Sequence, residues 1–462
     1  MPDVIILHTN DIHGRVEGLA RVATLVSRVR DENPGVPVLY FDTGDVEEPS
    51  QRLSNLTKGA GMHRLLAASG CDAVVVGNGA WMRYGPQVIE EHARSARYPL
   101  LAANLRVGNG SPVPGSQPTA LIGAGGLRLG LIGMTTETTS AYFSLYYDMR
   151  SVAALPLARE LAAALRQDGA DGIVLLSHMG LTADRELAAG LQEDVSLIIG
   201  AHSHDLLPAG EWVGRVLVAQ AGWYAEHLGR VDLAWDGRQL VVERAGVLPV
   251  GEDIRPSALI LSEAAVVEDE IAQRMDEIIG ELAEPLDFAC DRECGVADLM
   301  ADALRERMGA EVALVSAGQA FTGLLPAGPL RRSTLWDVCS STANPGLVML
   351  SGAQLLGLVA RGLTPDVIAG RPQMLRGQER GWMHLSGATL HDGELWIGGQ
   401  LVEAERLYRV AGTDFEFEPY GGYVDPARKL APRYEVPTIL REALEDYLAI
   451  HKPIRVPLGR LG

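Results

Sequence analysis

Five short groups in the first half of the chain carry side chains that bind metal ions: Asp11-Ile12-His13, Thr43-Gly44-Asp45, Gly77-Asn78, Ser177-His178 and His202-Ser203-His204. Carboxylate, carboxamide and imidazole in this mixture suit Mn²⁺, Zn²⁺ or Fe far better than Ca²⁺. The seven ligand-type side chains are Asp11, His13, Asp45, Asn78, His178, His202 and His204, and with one carboxylate shared they can hold two ions. Two ions about 3.5–4 Å apart acidify a bridging water and align it with a scissile bond, chemistry that most often hydrolyses a phosphate ester. Asp11 and His13 leave one side of a strand-to-loop turn together, because side chains at i and i+2 point the same way. Asp45 can bridge through its two oxygens, and Asn78 can give a neutral carbonyl oxygen. Each imidazole needs its other nitrogen hydrogen-bonded to fix its tautomer. Singly, such residues are caps, turn formers or core histidines. Five groups at successive strand ends are not explained in that way.

Each group follows an apolar run that reads as a buried strand: Val4-Leu7, Val36-Phe41, Ala73-Val76, Ile173-Leu176 and Ser196-Ile199. Between them, apolar residues recur at helical spacing (Leu19, Val22, Ala23, Val26, Val29; then Met62-Ala68, Tyr84-Ala96 and Leu155-Gln167). Asp236-Gly237 between Arg230-Trp235 and Leu240-Glu243 predicts a hairpin. Residues 1–255 therefore read as an α/β layered domain with a mixed sheet, or two stacked sheets. Ala264, Val267, Ile271, Met275, Ile278 and Leu282 predict one amphipathic helix over 262–284, inside a linker at 256–285 bounded by Pro256 and Pro285. Residues 286–462 read as a separate α+β domain with helices at Val296-Met308 and near Thr438-His451, and a hairpin at His391-Asp392-Gly393-Glu394. Residues 371–380 are its most loop-like stretch.

A length of 462 residues exceeds one compact core. The formal charge of -19 argues against wrapping duplex DNA or lying on an anionic membrane. It leaves room for a small anionic substrate, since a metal pair makes its own positive field. Of the four cysteines, Cys290 and Cys294 have helical i,i+4 spacing but no second Cys or His pair nearby, so they read as two reduced, partly buried thiols. The chain starts Met1-Pro2-Asp3 and runs straight into a strand, with no leader-like or membrane-spanning stretch, which gives the expectation of a cytoplasmic protein.

These blocks resemble a known family. His8-Thr9-Asn10-Asp11-Ile12-His13-Gly14, Asp42-Thr43-Gly44-Asp45, Gly77-Asn78, Ser177-His178-Met179-Gly180 and Gly200-Ala201-His202-Ser203-His204 are similar to the signature blocks of the 5'-nucleotidase family of calcineurin-like metallophosphoesterases. Gln220-Ala221-Gly222 and Leu228-Gly229-Arg230 add to the likeness. The resemblance implies a four-layer αββα metallophosphoesterase sandwich followed by an α+β 5'-nucleotidase-type C-terminal domain. It implies one ion on Asp11, His13, Asp45 and His204, and the other on Asp45, Asn78, His178 and His202. The implied cofactors are two divalent metal ions, Mn or Zn, with Fe compatible.

The chain departs from that pattern in two places. The family reads Gly-Asn-His-Glu-Phe-Asp where this chain reads Gly77-Asn78-Gly79-Ala80-Trp81-Met82, so the His that stabilises the transition state and the Asp that orients it are both replaced. A group of that kind is worth about 10²–10³ in rate. Arg83 and His63 are the nearest replacements, each with a plainer role available as a solvated loop residue or a helix-face residue. In the second half, the family's Asn-Gly-Gly-x-x-Arg block becomes Ser316-Ala317-Gly318-Gln319-Ala320-Phe321, which removes the phosphate-binding Arg. The family's Pro-Phe-Gly-Asn becomes Ser341-Thr342-Ala343-Asn344. Asn344 and Phe417 are the remaining substrate-binding candidates. The expected function is a dinuclear metal-dependent phosphoesterase acting on a nucleotide or other small phosphate ester. The alternatives are a related hydrolase with a non-nucleotide substrate, as in the thiosulfohydrolases that resemble this family and also replace this His, or a metal-binding pseudoenzyme.

Overall fold

The computed structural model describes residues 2–137, 147–371, 379–425, 430–436 and 438–462; the side chains of Ala80 and Arg83 fall outside the description. Much of the loop expected at 371–380 also falls outside it. The chain divides into two compact units, Met1–Ile271 and Ala272–Gly462.

Two six-stranded sheets build the first unit. One runs Leu240–Pro249, His227–Trp235, Val4–Thr9, Val38–Asp42, Ala73–Val75, Leu100–Leu101 in spatial order. The other runs Glu211–Val213, Val216–Ala219, Leu197–Ile199, Gly172–His178, Leu127–Thr135, Thr119–Ala124. The central strands pair in parallel and the hairpin strands antiparallel, so both sheets are mixed. Alternate residues explain the layers. Val4, Ile6, Leu39 and Phe41 of the first sheet meet Leu129, Val174, Leu176 and Leu197 of the second in one buried cluster. Ile5, Leu7 and Tyr40 face the other way, onto Leu19, Val22 and Val26 of helix Val16–Glu32 and Met62 and Leu65 of helix Ala60–Ala68. Ile132, Ile173, Leu175 and Ile198 pack on Ala158, Ala162 and Leu165 of helix Ala154–Gln167. Both faces of each sheet are covered, which is why the strands read as unbroken apolar runs. The result is an αββα sandwich, and the carboxyl ends of its central strands open on one rim, where α/β sheets place their ligands.

Two elements differ from the sequence reading. The helix expected over Tyr84-Ala96 is two helices, Gly79–Tyr84 and Val88–Ala96, because Gly85 (φ 83°) and Pro86 stop the first. The helix expected over 262–284 is Ala258–Asp276. Ile260, Ala264 and Val267 on it pack into the first unit. Residues Ile278–Leu282 are instead a strand, antiparallel to Gly328–Arg331. Their spacing suits either period, and pairing decides it.

The second unit holds a five-stranded sheet in the order Met383–Ser386, Val312–Ser316, Leu407–Thr413, Pro345–Ser351, Arg433–Tyr434. Helices Gly295–Arg307 and Leu440–Ile450 pack on it. Asp392 and Gly393, both at positive φ, turn the hairpin between Ala388–His391 and Glu394–Ile397. All four cysteines are free thiols, and Cys290 and Cys294 lie on irregular backbone before a helix rather than along one.

Candidate metal centre

Five of the sequence-predicted ligands sit in left-handed backbone: Asp11 (φ 50°), His13 (47°), Asp45 (53°), His202 (73°) and His204 (59°). Such a conformation costs a non-glycine residue about 1–3 kcal/mol and persists only where the surroundings enforce it. Here the Asp11 and His13 amides donate to the Gly44 and Asp45 carbonyls at 2.9 Å each, and the Gly14 amide to the Val46 carbonyl at 2.8 Å. This ladder fixes the first two loops to each other. Asn10 ties the first loop to a third: its side chain donates to the Gly222 carbonyl and accepts from the Ala221 amide. Gly77 must be glycine, since a Cβ there would lie 2.1 Å from Asp45 Oδ1.

The side chains converge as two groups. In the first, His13 Nε2 and His204 Nε2 face each other at 3.2 Å, and both approach Asp11 Oδ1, at 3.8 and 3.5 Å. Asp11 Oδ2 accepts from Asn10 Nδ2 at 2.8 Å and from the His202 amide at 3.0 Å. Asp11 Oδ1 is buried and has no hydrogen-bond donor among the described residues. Two imidazole nitrogens and an undonated carboxylate oxygen around one point fit a cation. In the second group, His178 Nε2 lies 3.1 Å from Asn78 Oδ1 and 3.4 Å from Asp45 Oδ2. His178 Nδ1 donates to the Thr43 carbonyl at 2.7 Å, which leaves Nε2 as the metal-facing nitrogen. Asp11, Asp45 and His178 also bring ligand atoms within 4.8 Å of one another. The His202 ring stands 5.2 Å from that of His178, centroid to centroid.

Electrostatics follow from burial. Burial pulls His178 down, but the Asp45 carboxylate outweighs it and raises the imidazole to about 9. Burial likewise opposes ionisation of Asp45, and His178 and His13 override it and hold the carboxyl well below its usual range. A cation seated between the two competes with that shared proton. Burial and the neighbouring His178 lower His202, which favours a neutral ring.

Gly79 occupies the place of the missing His. Its amide donates to Asp45 Oδ1 at 2.8 Å, and a Cβ there would stand 3.2 Å from the same oxygen. No side chain reaches over the centre from this position. His63 does not replace it: the ring is 2% exposed and bonds Glu47 and Tyr98. Arg83 lies outside the described side chains. Phe417, a substrate-binding candidate with core burial as its plainer role, is 1% exposed, with its ring packed over Gly412 and Gly346. Asn344 is half-buried, and its side chain donates to the Thr438 carbonyl at 2.7 Å.

Sequence reasoning missed four contributors. Thr136 donates to the His178 carbonyl at 2.8 Å and lies 3.4 Å from Asn78 Oδ1. Trp223 and Tyr224 stack on each other at 4.3 Å and lie against His204 and His13. Arg15 covers the Tyr224 ring at 4.2 Å, on the wall of a cleft of about 620 Å³ that begins at Gly14. The pair follows the Gln220-Ala221-Gly222 block, a signal that was available.

Comparison with known proteins agrees with the architecture. Residues 278–426 match the 5'-nucleotidase, C-terminal domain family. The chain is 26% identical to the uncharacterized metallophosphoesterase YunD of Bacillus subtilis, over 96% of this chain and 98% of that one. It is 25% identical to the 5'-nucleotidase of Diplobatis ommata, over 65% of this chain and 58% of that protein. The solved 5'-nucleotidase precursor of Thermus thermophilus superposes with a TM-score of 0.60 at 21% identity, covering 99% of this chain and 98% of the other. No helix among the described residues is long and apolar enough to cross a membrane.

Proposed function

Because the chain belongs to the 5'-nucleotidase family of calcineurin-like metallophosphoesterases, we propose that it is a dinuclear metal-dependent hydrolase of a small phosphate ester. One observation carries the reading: buried Asp11 Oδ1, without a donor among the described residues, faces two imidazole nitrogens that face each other. The proposed ligands are Asp11, His13, Asp45 and His204 for one ion, and Asp45, Asn78, His178 and His202 for the other. Mn²⁺ and Zn²⁺ both suit this donor set. The pair, when bound, supplies Lewis acidity and a nucleophile at neutral pH.

The chain's own residues do the rest. The Thr43 carbonyl fixes the His178 tautomer, and the ladder between the first two loops holds Asp11 and Asp45 in register. Trp223 and Tyr224 form an aromatic wall beside His13 and His204, and Arg15 sets a guanidinium on the edge of the cleft, suited to phosphate oxygens. Gly79 offers no acid to the leaving group, so good leaving groups are favoured.

A substrate other than a nucleotide is the second reading. The burial of Phe417 and the absence of the phosphate-binding Arg favour it, since one aromatic platform and one cation for a nucleotide are both missing. Turnover of a chromogenic aryl phosphate with added Mn²⁺, abolished by Asp45→Ala and His204→Ala, is the expected result. Folded, metal-loaded protein with no turnover on an ester panel would instead make the centre a binding site. Inhibition by adenosine separates nucleotide from non-nucleotide specificity.

A further inference from the structure

A third set of ligand-type side chains lies under the loop that carries Asp45. Glu47 follows strand Val38–Asp42, His63 sits on helix Ala60–Ala68, and His92 on helix Val88–Ala96. They are 5%, 2% and 2% exposed. Glu47 Oε1 lies 2.6 Å from His63 Nε2 and 3.2 Å from His92 Nδ1, and the three ligand atoms fall within 4.8 Å of one another. The far nitrogen of each imidazole is already engaged. His92 Nε2 is 2.7 Å from the Lys58 carbonyl, which only accepts, so this nitrogen carries the hydrogen. The neutral ring then turns a lone pair toward a carboxylate oxygen, two acceptors in contact in a buried place.

We propose that Glu47, His63 and His92 form a separate, buried, mononuclear site for a divalent cation of the zinc class. Two imidazoles and one carboxylate are a donor set that suits Zn²⁺ and does not suit Ca²⁺ or Mg²⁺. A tetrahedral ion with bonds of about 2.0–2.1 Å sets its ligand atoms roughly 3.3 Å apart. The His92–Glu47 separation meets this, and the His63–Glu47 contact opens by ~0.7 Å as the ion replaces its proton. That proton has a destination. It moves to His63 Nδ1, where Tyr98 Oη at 2.8 Å accepts it while donating toward the His63 carbonyl. A backbone carbonyl on one imidazole and a phenol on the other are the outer partners that metal-binding histidines use.

The backbone has been shaped around these groups. Gly59 stands at φ 90°, and a Cβ there would lie 2.5 Å from Glu47 Cγ and 2.8 Å from His92 Nε2. A cavity of about 10 Å³ adjoins Glu47, His63 and His92, room for about one water as the fourth ligand. The same cavity is lined by Gly44, Asp45 and Gly77, so an ion here would brace the wall of the rim centre without joining it. Its role is structural: it joins two helices and the loop between Asp45 and the first of them.

Zinc content separates this site from the rim. Protein is stripped with chelator, reloaded with Zn²⁺, and its metal counted by mass spectrometry alongside zinc-edge anomalous diffraction. The native chain should carry three equivalents, His92→Ala two, and His13→Ala/His178→Ala one, with an anomalous peak bonded to Glu47 Oε1, His63 Nε2 and His92 Nδ1. One equivalent in the native chain, lost in His92→Ala and kept in the rim double variant, sustains this site and sinks the dinuclear rim. Two equivalents in both native and His92→Ala protein overturn the buried site. Should His92→Ala fail to fold, the native anomalous map decides: no peak among these three atoms refutes the proposal.

Discussion

Asp11→Asn separates the carboxylate's two jobs. Oδ2 accepts from Asn10 Nδ2 and the His202 amide, while Oδ1 has no donor among the described residues and faces His13 and His204. An asparagine oxygen can take over both acceptances, and its amide then replaces Oδ1. Without metal, relief of a buried unsatisfied acceptor is worth about 1–3 kcal/mol, so the variant should be as stable as the native protein or more so. With metal the order reverses. At about 1,000 times Kd each bound ion adds roughly 4.1 kcal/mol, and the variant forfeits the ion that Asp11 holds. The difference between the two proteins should therefore swing by about 4 kcal/mol between chelator and metal. In a unit of this size that is a swing of roughly 8–16 °C in relative melting temperature. Calorimetry or dye-monitored melting, in EDTA and in excess Mn²⁺, measures it. Equal destabilisation of the variant in both conditions would make Asp11 a loop fastener and refute the metal argument.

Gly77→Ala should displace Asp45, because the new methyl would stand 2.1 Å from Oδ1 and 2.3 Å from its amide nitrogen. We expect a loss of about 1–3 kcal/mol with reduced metal content. Native content and stability would show that this loop yields freely. Ser351→Ala removes a complete capping box, with Gln354 N to Ser351 Oγ at 3.2 Å and Ser351 N to Gln354 Oε1 at 2.8 Å. The unfolding free energy from urea titration should fall by about 1 kcal/mol, through a lower midpoint at an unchanged m-value, and no change would mean the helix start is held by packing alone. Burial lowers His384 from 6.5 to about 4. The unfolded chain therefore binds the extra proton between those values, and stability falls as pH drops through that window, by up to ~1.4 kcal/mol per pH unit. His384→Gln keeps an acceptor for the Cys294 amide but cannot titrate. Its stability should lose this slope, and an undiminished slope would assign the effect to another group.

The candidate ligand set was legible because strand ends repeat a rule: alternation buries one face, and the residue past the last buried position enters the rim. Side-chain type then names the chemistry. What enforces the geometry was not legible. The left-handed turns at Asp11, His13 and Asp45 depend on amide-to-carbonyl bonds between loops more than thirty residues apart. Ile278–Leu282 carried a helical spacing, and only a partner strand decided otherwise. Phe417 had the right type beside a recognisable block, yet Gly412 and Gly346 leave the space its ring fills, and glycine positions do not announce that they face each other. Glu47, His63 and His92 come from a loop and two helices at spacings no motif reports, so nothing in the linear order joined them.

The candidate rim ligands originate from two different sheets. Asp11, Asp45 and Asn78 extend from one sheet, and His178, His202 and His204 from the other. Ions on that rim would therefore rivet two halves already joined by greasy side chains and by a few hydrogen bonds, such as His178 Nδ1 to the Thr43 carbonyl and the His202 amide to Asp11 Oδ2. Fraying of either half at its open end would have to wait for ion release. Amide hydrogens around Gly44 and around Ser203 should then exchange in step when loaded, and independently once stripped.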